Sequence, residues 1–375
     1  MKKIVFLTAT RADFGKLKSL IEISIDSDFE VHIFATGMHM HKLYGGTVDE
    51  IVKQGYGNIY KYINQSTEES MDLTLSNTIQ GLSGYVNENE PDLIVIHGDR
   101  VEALAGAIVG ALNNILVAHI EGGEVSGTID ELIRHSVSKL SHVHFVANDL
   151  ARKRLIQMGE IEESVFTIGS PDVDIMLSKK LLPLGQVKKY YQIEFTTYGI
   201  VLFHPVTTDK KNFGKYSSQL VDALVKSKSN FIVIYPNNDM GSSDIRRAYS
   251  VLEGNDHFKI FPSVRFEYFL VLLKHAMCIV GNSSAGIREA PYYGVPTINI
   301  GSRQDKRSDN KSILNTSYET DSILDAINES DRLIVQKVEH FGNGQSDKKF
   351  LEVIETEDFW TTPKQKQFRD LAFPN

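Results

Sequence analysis

Short apolar runs rich in Ile, Val and Phe alternate with longer amphipathic segments along this chain, and they do so in two successive series. Ile4 to Thr8, Glu30 to Thr36, Leu93 to His97, Leu116 to His119 and His144 to Ala147 read as strands. A second set follows at Ile200 to His204, Phe231 to Tyr235, Lys259 to Phe261, Cys278 to Gly281 and Thr297 to Ile300. Strands separated by helical spacing must run parallel, because a parallel neighbour is reached only through a crossover. The pattern therefore predicts an α/β protein built of two doubly wound halves. The 375 residues exceed what one core usually organises, which agrees with two domains. Gly169-Ser170-Pro171 punctuates the chain just after Val165 to Ile168, which could complete the first sheet. The expected division is 1–170, then 171–357, then a terminal helix within 358–375 that packs back on the first domain. Phe359, Trp360, Phe368 and Leu371 would supply its packing face.

Hydrophobic content of 42% and charged content of 23% suit a globular protein, and no low-complexity tract interrupts it. The one cysteine, Cys278, rules out an internal disulfide and a cysteine metal cluster, which fits a reducing, cytoplasmic setting. The first strand starts after Met1 and two lysines, so no signal peptide is expected. No apolar run reaches the roughly 18 to 20 residues of a membrane helix. A formal charge of -8 argues against nucleic acid as a partner while leaving room for a local basic pocket.

In open parallel sheets, ligands bind beyond the carboxyl ends of the strands, and unusual polar clusters fall at those positions. After the first strand, Thr10-Arg11-Ala12-Asp13-Phe14-Gly15-Lys16 enters a helix without a dinucleotide fingerprint or a phosphate-loop Gly-Lys-Ser/Thr. Arg11, Lys16 and the helix N-terminus could hold an anion, or could be solvated charges beside an N-cap. His97-Gly98-Asp99-Arg100 ends another strand, where Asp99 either meets a ligand or caps the next helix. His119-Ile120-Glu121-Gly122-Gly123-Glu124 makes a poor strand and a poor helix, so it reads as a tight loop presenting carboxylates. Thr128 and Glu131 have capping-box spacing, while Asp130 and Arg134, like Glu131 and His135, can share one helical face.

Paired carboxylates can divide acid and base duties when burial and neighbouring charge separate their pKa values, and Glu121 with Asp130 is the candidate pair. His97, His119, His135, His142 and His144 raise metal binding as a competitor, but no His-Glu-x-x-His spacing occurs, and no bound metal is expected. In the second half His204 ends a strand. The run Gly281-Asn282-Ser283-Ser284-Ala285-Gly286-Ile287-Arg288-Glu289 then offers amides to a diphosphate and Glu289 to ribose hydroxyls, unless it is a plain strand-to-helix turn. No Gly-x-Ser-x-Gly nucleophile elbow is present.

These stretches, together with Gly37-Met38-His39, Arg265-Phe266-Glu267-Tyr268-Phe269 and Gly301-Ser302-Arg303-Gln304, resemble the UDP-N-acetylglucosamine 2-epimerase family over almost the whole chain. Arg11-Ala12-Asp13-Phe14 and His119 to Glu124 are similar to its hydrolysing branch, which serves sialic acid and capsule polysaccharide synthesis. The resemblance implies two Rossmann-like domains of the glycosyltransferase-B type. It also implies a reaction in which UDP is eliminated from C1 and C2 of the sugar to give 2-acetamidoglucal, which water converts to N-acetylmannosamine. Asp99, Glu121 and Asp130 match the family's acid-base positions, and the sequence leaves open which of Glu121 and Asp130 is the C2 base. Arg11, Lys16, His39, Arg100, Arg134, His204, Gly281, Asn282, Ser283, Ser284, Glu289 and Arg303 are the expected substrate contacts. The resemblance implies no required cofactor, although a divalent cation could accompany UDP, and a homo-oligomer of two or four chains. Rival readings are the same reaction on UDP-2,4-diacetamido-2,4,6-trideoxyglucose, a non-hydrolysing epimerase, a glycosyltransferase and a nucleotide-sugar sensor.

Overall fold

A computed structural model describes the chain except residues 67–68, 127–128, 207–211, 305–309, 334, 336, 338–339 and 371–375. The first domain holds β1 (Lys2–Thr8), β2 (Phe29–Ala35), β3 (Asn58–Lys61), β4 (Leu93–His97), β5 (Leu116–Ile120), β6 (Val143–Val146) and β7 (Val165–Thr167). The second holds β8 (Gly199–Leu202), β9 (Phe231–Ile234), β10 (Phe258–Phe261), β11 (Ile279–Gly281), β12 (Thr297–Ile300) and β13 (Ile313–Thr316). The orders are β3-β2-β1-β4-β5-β6-β7 and β10-β9-β8-β11-β12-β13. Every neighbouring pair is parallel. Both sheets reverse their winding once, between β1 and β4 and between β8 and β11, which creates the crevice where doubly wound proteins bind ligands.

Alternation along β1 explains the layering. Ile4 and Phe6 face one side with Leu17, Leu20 and Ile21 of the helix Arg11–Ile25, while Val5 and Leu7 face the other with Leu82, Val109 and Val137. Helices on both faces leave β4 and β5 almost wholly buried, hence their unbroken apolar runs. Among the described residues no helix is long and apolar enough to cross a membrane.

The chain returns to the first domain earlier than the sequence suggests. Helix Ser346–Ile354 packs on helix Arg11–Ile25, with Phe350 buried 4.8 Å from Phe145 between ring centroids. The expected helix over Phe359 to Leu371 is instead the single turn Glu357–Trp360, because Pro363 supplies no amide hydrogen to continue it. Phe359 is buried and Trp360 packs on Phe29, but Phe368 is 91% exposed, and Leu371 lies outside the described residues. Residues 361–370 instead run over the first domain, with Lys366 Nζ donating to Glu160 Oε2 at 2.5 Å and Gln365 to Asn114 at 2.7 Å.

Candidate active site

The two switch points face each other across a cleft of about 290 Å³. Thr10, Arg11, Lys16, His97, Asp99 and Arg100 line it from the first domain, and His204, Ser283, Ser284, Glu289 and Arg303 from the second. Helix Arg11–Ile25 opens on a capping box: Thr10 Oγ1 accepts from the Asp13 amide at 3.1 Å, and Asp13 accepts from the Thr10 amide at 2.9 Å. This cap sets Arg11 at the cleft mouth, where it donates to Glu50 at 2.6 Å and to Ser263 of the second domain at 2.5 Å.

The second domain contributes a fixed donor. The Asn237 amide donates to His204 Nδ1 at 3.0 Å, so Nε2 carries the ring hydrogen. Burial, reinforced by Arg303 and Arg100, holds His204 well below its usual range and therefore neutral. Asn282 ties the His204 backbone from both sides, at 2.7 and 2.8 Å, and its own carbonyl accepts from Arg303 at 3.1 Å. Gly281 has φ +141, and a Cβ there would lie 2.1 Å from the Leu202 carbonyl oxygen, so close packing against β8 demands glycine. Ser283 Oγ accepts from the Ala285 amide at 3.3 Å, turning the chain into the Ser284–Gly286 turn.

The carboxylates occupy three different environments. Asp99 lines the cleft and accepts a hydrogen bond from buried Arg134, while Arg100, not Asp99, takes the N-cap position of the helix Val101–Leu112, which has no side-chain cap. Asp130, at the start of helix Ile129–Leu140, accepts from Arg303 across the domains at 3.1 Å rather than pairing with Arg134. Glu121 follows β5 at φ +64 and is 4% exposed, behind the cleft wall. Arg288 donates to it at 2.5 Å and to Glu124 at 2.8 Å, and Ser170 donates to it as well. Burial, the largest influence, raises the Glu121 carboxyl, but Arg288, Lys16 and His97 together hold it well below the usual range. Lys16 pairs with Asp172 at 3.1 Å and Glu289 at 3.4 Å, and burial is outweighed by those anions, so it stays charged. Glu289 lines the cleft, and its Oε2 is buried without a hydrogen-bond partner.

His39 is placed elsewhere than expected. It lies fully buried between Thr8, at 3.0 Å, and Thr47, at 2.7 Å, so both ring nitrogens serve the first domain's interior instead of a ligand. Its neighbour Met38 reaches the cleft. Arg134 also stands off the cleft wall and works on Asp99. Glu131 pairs with His135 at 3.6 Å and accepts from the Ser126 amide at 2.7 Å, whereas Thr128 lies outside the described residues. Arg288, Asp172 and Ser170 form the buried network around Glu121 behind the cleft, which sequence reasoning passed over. Among the described residues no group of three or more His, Cys, Asp or Glu is placed to hold a metal ion.

The sequence profile described as UDP-N-acetylglucosamine 2-epimerase matches residues 21–355. The chain belongs to this family. A relative from Neisseria meningitidis serogroup B, named UDP-N-acetylglucosamine 2-epimerase, is 51% identical and covers 99% of this chain and 100% of its own length. A Legionella pneumophila protein named UDP-N,N'-diacetylbacillosamine 2-epimerase (hydrolyzing) is 30% identical over 95% of this chain and 96% of its own. The solved UDP-GlcNAc 2-epimerase of Methanocaldococcus jannaschii, in complex with UDP-GlcNAc and UDP, superposes with a TM-score of 0.82. It is 20% identical and covers 95% of this chain and 99% of its own, a likeness of fold: two parallel-sheet α/β domains of the glycosyltransferase-B kind.

Proposed function

We propose that this chain is a hydrolysing epimerase that converts UDP-N-acetylglucosamine and water to N-acetylmannosamine and UDP. The observation that carries the reading is one interdomain cleft that brings the donors Arg11, Arg100, neutral His204 and Arg303 together with the carboxylate of Asp99, and with Asp130 held 3.1 Å from Arg303 beside it. Elimination across C1 and C2 requires both. Departing UDP gathers negative charge that fixed donors stabilise, while the weakly acidic C2 proton needs a positioned base. Loss of UDP gives 2-acetamidoglucal; addition of water to C1 and of a proton to the opposite face of C2 then yields the inverted free sugar.

Support for hydrolysis comes from Arg11-Ala12-Asp13-Phe14 and the His119 to Glu124 loop, and from similarity over most of the chain to a relative named as hydrolyzing. Elimination and hydration leave the oxidation state of the sugar unchanged, so the reading needs no redox cofactor. A divalent cation could accompany the diphosphate, whose charge Arg11 and Arg303 would meet from the two sides of the cleft. The test is to incubate purified protein with UDP-N-acetylglucosamine in deuterium oxide. Free N-acetylmannosamine carrying deuterium at C2, with one UDP per sugar, is the expected result. A product that stays linked to UDP overturns hydrolysis, and turnover of only the 2,4-diacetamido-2,4,6-trideoxy sugar overturns the substrate.

A further inference from the structure

Glu121, an acid-base candidate from sequence and resemblance, does not reach the cleft directly. Its Oε1 is taken by Arg288, at 2.5 Å, and by Ser170; its Oε2 lies 3.0 Å from His97 Nε2. His97, not Glu121, forms the cleft wall there, beside Asp99. An ionised carboxylate can only accept, so Nε2 must carry the hydrogen, which leaves the lone pair of a neutral ring on Nδ1. No residue described in the structure donates to that nitrogen. A buried carboxylate behind an imidazole, fixing its tautomer and balancing the charge it gains, is the arrangement that makes histidine an effective base.

We propose that His97 is the catalytic base that removes the C2 proton, and that Glu121 is a positioning residue acting through it. The proposal rests on the elimination reading above. Nδ1 takes the proton, the C2–H electron pair becomes the C1–C2 double bond, and the C1–O pair leaves on the β-phosphate of UDP. The resulting imidazolium faces Glu121, whose charge Arg288 and Lys16 anchor, with Asp99 at the cleft side. Inversion at C2 needs a proton delivered from the opposite face, so the acid of the second step is a different group, and Asp99 or Asp130 supplies it. His97 later returns its proton to solvent.

Two variants test this, each first checked for UDP binding. His97→Gln, which keeps a donor to Glu121 but cannot take a proton, is expected to bind UDP within about threefold of the parent and release UDP about 100-fold more slowly. His97→Ala is expected to lose as much and to recover about tenfold or more when imidazole is added, a rescue that a purely structural role does not allow. Turnover of His97→Gln within about tenfold of the parent overturns the proposal. So does a UDP-binding His97→Ala variant that imidazole fails to rescue, or loss of UDP binding in both variants, which makes His97 structural. A parent protein that releases no UDP from UDP-N-acetylglucosamine in the first place overturns the functional reading itself.

Discussion

Arg303 reaches Asp130 at 3.1 Å from across the cleft, with the two side chains 15% and 21% exposed, whereas Arg288 grips Glu121 with both partners about 5% exposed or less. The same type of pair therefore has different consequences. On the proposed reading an incoming diphosphate competes with Asp130 for Arg303, and solvent already screens part of the Arg303–Asp130 attraction. Removing the Glu121 charge leaves Arg288 buried with fewer anions, and breaking such a pair costs about 3 to 5 kcal/mol. Asp130→Asn is accordingly expected to lower turnover about 100-fold with stability changed by no more than about 0.5 kcal/mol. Glu121→Gln is expected to lose both turnover and several kcal/mol. Paired assays of UDP release and urea denaturation check this; equal stability in the two variants would show that the Arg288 network does not hold Glu121 as a structural partner.

At the scale of elements, the segment 361–370 acts as a strap rather than a helix. Lys366 on the strap and Lys139 and His144 beneath it converge on Glu160, at 2.5, 2.8 and 3.0 Å. Burial raises the Glu160 carboxyl, but His144, Lys366 and Lys139 outweigh it and bring it from 4.5 down to about 2. A depressed folded-state pKa means stability that is present above the ordinary value and lost as pH falls towards the depressed one. Glu160→Gln should therefore be less stable than the parent at pH 7, and the gap should narrow as pH falls from about 4.5 to about 2. Thermal melts at pH 7 and pH 3 measure it, and a gap that widens on acidification contradicts the assignment. The sequence showed Phe359, Trp360 and Phe368 near the end, and the strap was not legible from them, since Pro363 and distant ionic partners decide its path. β3 and β13 were missed for a related reason: each is an edge strand with one covered flank, and Asn58–Lys61 is mostly exposed, so no sustained apolar run announces it. The buried central strands were legible because both faces are covered. In the cleft region, motif runs pointed to Asp99, which lines the cleft, and to Glu121 and Asp130, which stand beside it on His97 and Arg303. Arg288 stood inside the Gly281 to Glu289 run unnoticed, because its partners lie 164 and 167 positions away and no local spacing reveals them.

At the scale of the whole molecule, the crossings between domains meet at one place. Gly169, at φ +92, and Gly342, at φ +112, lie on the outgoing and returning chains, and the Ser170 amide donates to the Phe341 carbonyl at 2.6 Å. A Cβ on Gly342 would stand 2.9 Å from the Gly169 Cα, so the two chains cross in contact without side chains between them. Such a pair of small, left-handed residues can absorb a change in domain angle. Ser170, next to the crossing, also touches Glu121 and Arg288, so rotation there moves the acid network directly. Closure is resisted or guided by ion pairs that span the domains, including Lys18 with Glu267 at 2.8 Å, Arg265 with Glu50 at 3.0 Å and Arg100 with Asp239 at 3.4 Å. Gly342→Ala forces an L side chain into a conformation that costs about 1 to 3 kcal/mol and pushes the returning chain off its partner. UDP binding should survive, because His204, Ser284 and Arg303 belong to the second domain alone, while misplacement of the two halves by about 1 Å is enough to slow turnover roughly 100-fold. Small-angle scattering with and without UDP reads the closure and UDP release reads the rate. A variant that contracts on UDP and turns over as the parent does would remove the glycine crossing as the hinge.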